Sequence, residues 1–127
     1  MKNIGFITTN KMFAQSFATT IRTRTDLEFS PFLLLNPIQT VLDIEIMEID
    51  IAVVDIVEIA CKSLEVLSDF CRQLRTARPD MRILLLASQD DGVDRKLAMT
   101  AVKNGEADDF VFYDTSLDYL FAKLVAI

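Results

Sequence analysis

The segment "IDIAVVDIVE", residues 49 to 58, is an apolar run that is interrupted near its end by the carboxylate of Asp55. Its centre, residues 51–54, carries only isoleucine, alanine and valine, which indicates a strand that is buried on both faces. A carboxylate is costly to bury without partners. We therefore expect Asp55 to lie at the rim of a sheet, where water or a ligand can reach it.

Strand-like and helix-like segments alternate on both sides of this run. Strands are predicted over residues 3–8, 27–35, 49–56, 81–88 and 108–113, and helices over residues 11–24, from "NP" at 36–37 onward, and over residues 61–79, 90–105 and 116–127. Five strands that alternate with five helices predict an α/β domain, a doubly wound three-layer sandwich with a parallel sheet. The strand order 2-1-3-4-5 places Pro31, which cannot donate to a ladder, on an edge strand.

Each predicted helix has one apolar face. Thr9 or Asn10 can cap the first helix, and Gly105 is predicted to cap the end of the fourth. The residues expected to face the core are Phe13, Phe17 and Ile21, then Ile38, Val41 and Leu42, then Leu64, Leu67, Cys71 and Leu74, then Leu97, Ala98, Ala101 and Val102, and finally Leu117, Leu120, Phe121 and Leu124.

Composition excludes several classes of function. The 127 residues correspond to about one domain, and a net charge of −6 argues against binding to nucleic-acid phosphates. The chain has no histidine, which removes His-based catalysis and metal sites, and it has no glycine-rich phosphate loop. No apolar run is long enough for a membrane span and no signal peptide is recognisable, so the cytoplasm is expected. Cys61 and Cys71 are predicted to be reduced, partly buried thiols.

The element order, "VVDI" at the end of the third strand and "AVKNGEADDFVFYD" before and within the fifth strand resemble the receiver domain of bacterial two-component response regulators. The resemblance covers essentially the whole chain and implies a CheY-like, flavodoxin-like fold. In that family the aspartate at the position of Asp55 accepts a phosphoryl group from a histidine kinase. An acidic pair holds Mg²⁺, and a hydroxyl and a lysine hold the phosphoryl oxygens, which offsets the charge of the transferred group.

The resemblance leaves Asp55 in place and changes most of the positions around it. The acidic pair falls on Thr8 and Thr9, which are poor ligands for Mg²⁺. The hydroxyl position falls on Ala87, with Ser88 one residue later, and the lysine position falls on Tyr113. Lys11 follows the first strand and is a candidate to replace the metal by an ion pair with Asp55, which at an exposed rim would contribute about 0–1 kcal/mol.

These departures predict an atypical receiver, a pseudo-receiver that is not an enzyme, needs no cofactor and regulates by protein contact. The resemblance implies a partner protein or an attached output domain, with this chain as the N-terminal part of a longer regulator. It also implies a homodimer through the fourth helix, the fifth strand and the fifth helix, where Phe112 and Tyr113 are the candidate interface residues.

Two alternatives remain open at this point. In the first, Asp55 is a working phosphoacceptor in a phosphorelay, with Mg²⁺ bound by altered ligands. In the second, the chain is a flavodoxin-like binder of a small ligand or cofactor, which uses the same crevice between the first and third strands. The segment "TTNK" offers hydroxyls for such a site but no glycine.

Overall fold

The computed structural model describes residues 2–24, 26–36, 38–56, 63–113 and 115–127. Its five strands form one parallel sheet in the order β2-β1-β3-β4-β5. The strands are β1 (Lys2–Ile7), β2 (Phe29–Leu34), β3 (Ile51–Asp55), β4 (Arg82–Ala87) and β5 (Asp109–Phe112). The predicted fold class and strand order are confirmed, and Pro31 lies on the edge strand β2 opposite Ile4.

Five helices cover the two faces of the sheet. They are α1 (Lys11–Thr23), α2 (Thr40–Ile46), α3 (Leu64–Ala77), α4 (Gly92–Lys103) and α5 (Leu117–Ala126). Apolar residues of α1 and α5 form a core on one face, and residues of α2, α3 and α4 form the core on the other face. The arrangement is therefore the predicted three-layer sandwich.

The central strand β3 shows why its sequence is continuously apolar. Ala52 and Val54 belong to the core beneath α2, α3 and α4, whereas Ile51 and Val53 belong to the core beneath α1 and α5. Successive side chains of a strand point to opposite faces, and here both faces are covered. All five residues of β3 are buried, and Asp55 is the last of them.

The helix ends follow the capping signals in the sequence. The Asn10 side chain accepts a hydrogen bond from the backbone N–H of Phe13, which identifies Asn10 as the cap of α1. Gly105 has a φ of +77° just after α4, and the N–H groups of Gly105 and Glu106 donate to Val102 and Ala101. This is the left-handed end of a helix that glycine favours.

The second helix differs from its prediction. It begins at Thr40, three residues after Pro37, and it buries Thr40 and Ile44. Val41 is half-buried, whereas Ile38 and Leu42, which were expected to face the core, are 93% and 57% exposed. The prediction was wrong for Ile38 and Leu42, because α2 starts later and is rotated, whereas Val41 packs against the core as expected.

The other predicted faces are largely confirmed. The main exception is Leu117, at the start of α5, which is 38% exposed. Cys71 is buried, whereas Pro37, Cys61 and the first residues of the predicted third helix lie outside the described residues. Within the described part of the chain, none of the helices has the length and apolar character needed to cross a membrane.

Candidate functional site

Asp55 lies where the sequence predicts, at the carboxyl end of the central strand β3. It pairs in register with Leu86 of the neighbouring strand β4. The residue is 0% exposed, however, so the expectation that water reaches this carboxylate was wrong. A buried carboxylate must be satisfied by hydrogen bonds or charges.

Two hydroxyl groups donate to one oxygen of this carboxylate. The Thr8 hydroxyl lies 2.7 Å from Oδ2 of Asp55, and the Tyr113 hydroxyl lies 2.5 Å from the same atom. Thr8 directly follows β1 and Tyr113 directly follows β5. The three residues, which we call the Asp55 cluster, therefore connect the carboxyl ends of three strands.

The turn between β1 and α1 positions Thr8. Its backbone N–H donates to the carbonyl of Leu34 on the edge strand, and its Oγ1 accepts a hydrogen bond of 3.0 Å from the N–H of Asn10. The Thr8 hydroxyl therefore donates to Asp55 and accepts from the backbone at the same time. The side chain is 1% exposed, and this double use holds its rotamer in place.

Backbone pairing and ring packing position Tyr113. Its N–H donates to the carbonyl of Ala87 at 2.8 Å, which continues the ladder between β4 and β5 by one residue. Its ring packs against Phe13 of α1, with centroids 4.9 Å apart and planes inclined by 53°. The hydroxyl is therefore aimed at Asp55 by a side chain that has little freedom to rotate away.

A row of aromatic rings extends from this position through the core. Phe13 contacts Phe6, Phe6 contacts Phe17, and Phe17 contacts Phe121 of α5, with centroids 5.3, 4.7 and 6.0 Å apart. Each ring packs directly on the next. The placement of Tyr113 and the placement of α5 are thus set by one continuous set of contacts.

For the remaining predicted site residues, the structure describes no side-chain hydrogen bond or salt bridge to Asp55. Thr9 is exposed, Ala87 is buried and offers only its backbone carbonyl, and Ser88 is half-buried without a described hydrogen bond to Asp55. Lys11 is exposed, and among the described residues no salt bridge joins it to Asp55. The predicted ion pair is therefore wrong for this structure, because an ammonium is costly to bring to a buried position that hydroxyls can occupy.

The contact between Tyr113 and Asp55 was not predicted, although the sequence holds a signal for it. Tyr113 lies where the family resemblance places a lysine, at the end of the strand two places from β3. Adjacent strands lie about 4.8 Å apart, so a side chain from β5 must span roughly two strand spacings to reach β3. Tyrosine is long enough and carries its only polar atom at the tip.

The residues around Asp55 do not fit the Mg²⁺ that the fold family implies. The hydroxyl of Thr8, at the position of one expected acid, is directed to Asp55 as a donor and not toward a cation. Throughout the described ranges, no group of three or more acidic or cysteine side chains is arranged to hold a metal ion. Mg²⁺ prefers carboxylate and water oxygens in a near-octahedral set, which these side chains do not supply.

Comparison with solved structures supports the fold. The chain is similar to a response regulator from Thermotoga maritima, with 20% identity, a TM-score of 0.77, and coverage of 99% of this chain and 96% of that one. A CheY-like receiver domain protein from Methanospirillum hungatei JF-1 is 14% identical, with a TM-score of 0.74 and coverage of 99% and 92%. The chain therefore has the receiver, CheY-like fold.

A third similar structure is a response regulator from Burkholderia pseudomallei that carries a phosphorylated aspartic acid, a calcium ion and citrate. It is 23% identical to this chain, with a TM-score of 0.70. The match covers 96% of this chain and 65% of that one, so this chain spans about two thirds of that protein's length. No protein-family model matches the sequence, and no curated protein matches it either.

Proposed function

We propose that this chain is an atypical receiver domain that acts in signal transduction by protein contact, without Mg²⁺-dependent phosphorylation of Asp55. The receiver fold supports a role in signalling. One observation carries the more specific proposal: the Thr8 and Tyr113 hydroxyls both donate to Oδ2 of a carboxylate that is 0% exposed. The domain is not an enzyme and uses no resident cofactor.

The proposal follows from what phosphoryl transfer requires. A carboxylate oxygen must attack the phosphorus atom in line, and cations must offset the charge that gathers on the transferred group. Here Oδ2 has two donors directed at it, and the positions of the expected acidic pair and lysine carry hydroxyls. Each positioned donor or cation of this kind is typically worth about 10²–10³ in rate, although such losses are not additive.

The Asp55 cluster gives a physical reason why the domain would keep a single conformation and not switch between two. In a phosphorylated receiver, a new charge on the aspartate draws in a hydroxyl and a lysine, and surfaces near the fifth strand respond. In this chain the two hydroxyls already bind the carboxylate. The hydrogen bonds of the Asp55 cluster therefore connect the ends of the first, third and fifth strands without a phosphoryl group.

The contact surface that the family resemblance implies is formed by α4, β5 and α5, and we extend the proposal to a homodimer or an attached output domain there. Lys123 of α5 pairs with Asp109 of β5 at 2.8 Å, and its ammonium lies 5.8 Å from the centroid of Tyr119. Tyr119 and Met99 are 50% and 54% exposed. Tyr113, the earlier candidate for this interface, is half-buried and directs its hydroxyl to Asp55.

One observation favours the phosphoacceptor alternative. Asp55 lies at the carboxyl end of the central strand, which is where a receiver carries its acceptor. Opening of the Asp55 cluster would be required before a donor could reach Oδ2. The flavodoxin-like alternative needs polar groups in the loop after β1 that can bind a ligand. Here Asn10 caps α1 and the Thr8 hydroxyl donates to Asp55, so neither side chain is directed to a ligand.

The deciding experiment is incubation of the purified protein with acetyl phosphate and Mg²⁺, followed by intact-protein mass spectrometry. The expected result is no phosphate adduct. A functional response-regulator receiver is the assay control, and Asp55→Asn is the chain's own control. A gain of one phosphate in the wild-type protein that is lost in Asp55→Asn would show that Asp55 is a working acceptor and would overturn the proposal.

A rebuilt variant sharpens this experiment. Thr8→Asp, Thr9→Asp and Tyr113→Lys together restore the acidic pair and the lysine that the family uses, and they remove both hydroxyl donors. Phosphorylation of this variant on Asp55, with none in the wild-type protein, is the expected result. It would show that the substituted positions, and not the placement of the strand, prevent the reaction.

A further inference from the structure

The outer face of α2 and the turn that precedes it carry three exposed aliphatic side chains at intervals of four residues. Ile38, Leu42 and Ile46 are 93%, 57% and 67% exposed. Leu42 and Ile46 are four residues apart and lie on one side of α2, and Ile38 lies in the turn that leads into the helix; we call these three residues the α2 stripe. Met47, at the end of the helix, is 36% exposed beside it.

The α2 stripe is not needed to attach α2 to the sheet. The opposite side of the helix does this through Thr40 and Ile44, which are both 0% exposed. α2 is thus apolar on two sides, of which only one is covered by residues that the structure describes. Exposed single apolar residues are common on proteins, whereas a regular helical line of them is the pattern by which helices recognise partners.

All charged residues in the stretch of sequence that contains the α2 stripe are acidic. No lysine or arginine occurs between Arg24 and Lys62, and residues 25–61 hold eight of the 19 acids. This segment therefore carries −8, and the rest of the chain carries 13 − 11 = +2, which together give the net charge of −6. The chain's excess negative charge lies in the segment that contains α2.

Two of these acids lie within two residues of Ile46 in the sequence and are available to a partner. Glu45 and Glu48 are exposed, and in the part of the chain that the structure describes neither forms a salt bridge. Asp50, by contrast, is paired with Arg78 at 3.3 Å. The α2 stripe is thus a line of aliphatic groups with unneutralised carboxylates beside its carboxyl-terminal half.

We propose that the α2 stripe docks an amphipathic helix of a partner protein, with leucine-like residues on its apolar face and lysines or arginines flanking them. The apolar line supplies the burial, and Glu45 and Glu48 select a basic partner over an acidic one. A second copy of this chain fits poorly, because two α2 stripes would bring four like charges together. An anionic membrane surface or a nucleic acid is disfavoured by the same charge.

This inference goes beyond the Proposed function, since it concerns a surface outside α4, β5 and α5 and does not depend on the chemistry of Asp55. Its test is therefore independent of the acetyl phosphate experiment. Either proposal can fail while the other stands.

The experiment measures binding of a fluorescein-labelled synthetic helix of about 18 residues, or five turns, made of leucine and lysine with all leucines on one face. Two further peptides are the specificity controls: a scramble of the same composition without an apolar face, and an amphipathic leucine–glutamate helix. The protein variants are Leu42→Gln/Ile46→Gln and Glu45→Lys/Glu48→Lys. Met12→Gln, which changes an 82% exposed apolar residue on α1, is the matched control.

The wild-type protein and Met12→Gln are expected to bind the leucine–lysine helix, with amide chemical-shift changes concentrated in residues 38–48. Leu42→Gln/Ile46→Gln should bind at least tenfold more weakly, and Glu45→Lys/Glu48→Lys should prefer the leucine–glutamate helix. Equal binding of the scramble, or unchanged affinity in both double variants, would overturn the proposal. So would a wild-type dimer that Leu42→Gln/Ile46→Gln dissociates in sedimentation, because the occupant would then be a second copy.

Discussion

The hydroxyl of Tyr113 donates a hydrogen bond of 2.5 Å to Oδ2 of Asp55, across the intervening strand β4. Fifty-eight positions separate the two residues in the chain. Thr8 donates to the same oxygen from the other side, at 2.7 Å. A buried carboxylate at the carboxyl end of the central strand thereby accepts hydrogen bonds from two hydroxyl groups within the domain.

Replacement of Tyr113 by phenylalanine removes this hydrogen bond and keeps the ring that packs on Phe13. We expect the free energy of unfolding to fall by about 1.5–3 kcal/mol, the range for a hydrogen bond to a charged group, because Asp55 stays buried with one donor fewer. Urea denaturation measures the change. The protein's other tyrosine, Tyr119, is 50% exposed and is the matched control. Equal stability of Tyr113→Phe and Tyr119→Phe would contradict the structural role given to the hydroxyl.

Two glycines at opposite ends of α4 should respond to alanine with opposite signs. Gly105 has a φ of +77°, so Gly105→Ala should destabilise the protein by roughly 1 kcal/mol. Gly92 begins α4, and an added Cβ there meets nothing within 4 Å, so Gly92→Ala should be neutral or stabilise by up to about 1 kcal/mol. Thermal or urea unfolding of the pair tests this, and a loss of stability in Gly92→Ala would count against the described start of α4.

The salt bridge between Lys123 and Asp109 should stabilise the folded state, and this stabilisation should disappear at high pH. The hydrogen bond to Asp109 raises the pKa of Lys123 above its ordinary value, with a smaller opposing effect of burial. A group whose pKa is higher in the folded state stabilises the fold fully below the unfolded pKa, about 10.4 for lysine, and loses this contribution as the pH rises through the folded pKa.

Lys123→Gln is the variant that isolates this contribution. Both partners are about one third exposed, so the effect is expected to be at most about 1 kcal/mol at pH 8. Urea midpoints of wild type and variant should differ at pH 8 and converge as the pH rises through the raised folded-state pKa of Lys123. A difference that stays constant over this range would show that Lys123 acts through packing and not through its charge.

Self-association through α4, β5 and α5 should depend on Tyr119. Because exposed aromatic side chains are frequent anchors of interfaces, Tyr119→Ala is expected to weaken a dimer by about tenfold or more in Kd. Val125, on the same helix but lining a cavity with Lys2 and Phe29, is the control, and Val125→Ala should leave association unchanged. Sedimentation velocity over a concentration series measures both, and a wild-type monomer at every concentration would refute the dimer.

Sequence alone determined the sheet and the place of Asp55 within it. Short continuous apolar runs that alternate with helical patterns indicate strands covered on both faces, and Pro31 excludes β2 from the interior of a sheet. Once the strands are parallel and ordered, Asp55 has to lie at their carboxyl edge. These features depend on hydrophobic periodicity and on backbone hydrogen bonding, and both can be read from short stretches of the sequence.

Tertiary structure decided which groups meet the carboxylate. Lys11, Thr8 and Tyr113 all follow strand ends near Asp55, and by position each could have supplied a partner. The packed site selected the two hydroxyls, because a neutral hydroxyl loses far less hydration on burial than an ammonium does. Ring packing on Phe13 then fixed the direction of Tyr113, and that contact depends on residues 100 positions apart.

Tertiary structure also decided which side of α2 is buried. Residues 38, 41, 42, 44 and 46 are all aliphatic, so over one short helix the pattern is compatible with more than one rotation. The late start of the helix at Thr40 turned Ile44 inward and left Ile38, Leu42 and Ile46 outside. A seven-residue helix with apolar residues on two sides does not specify its own orientation, which is set by the sheet beneath it and by α3 beside it.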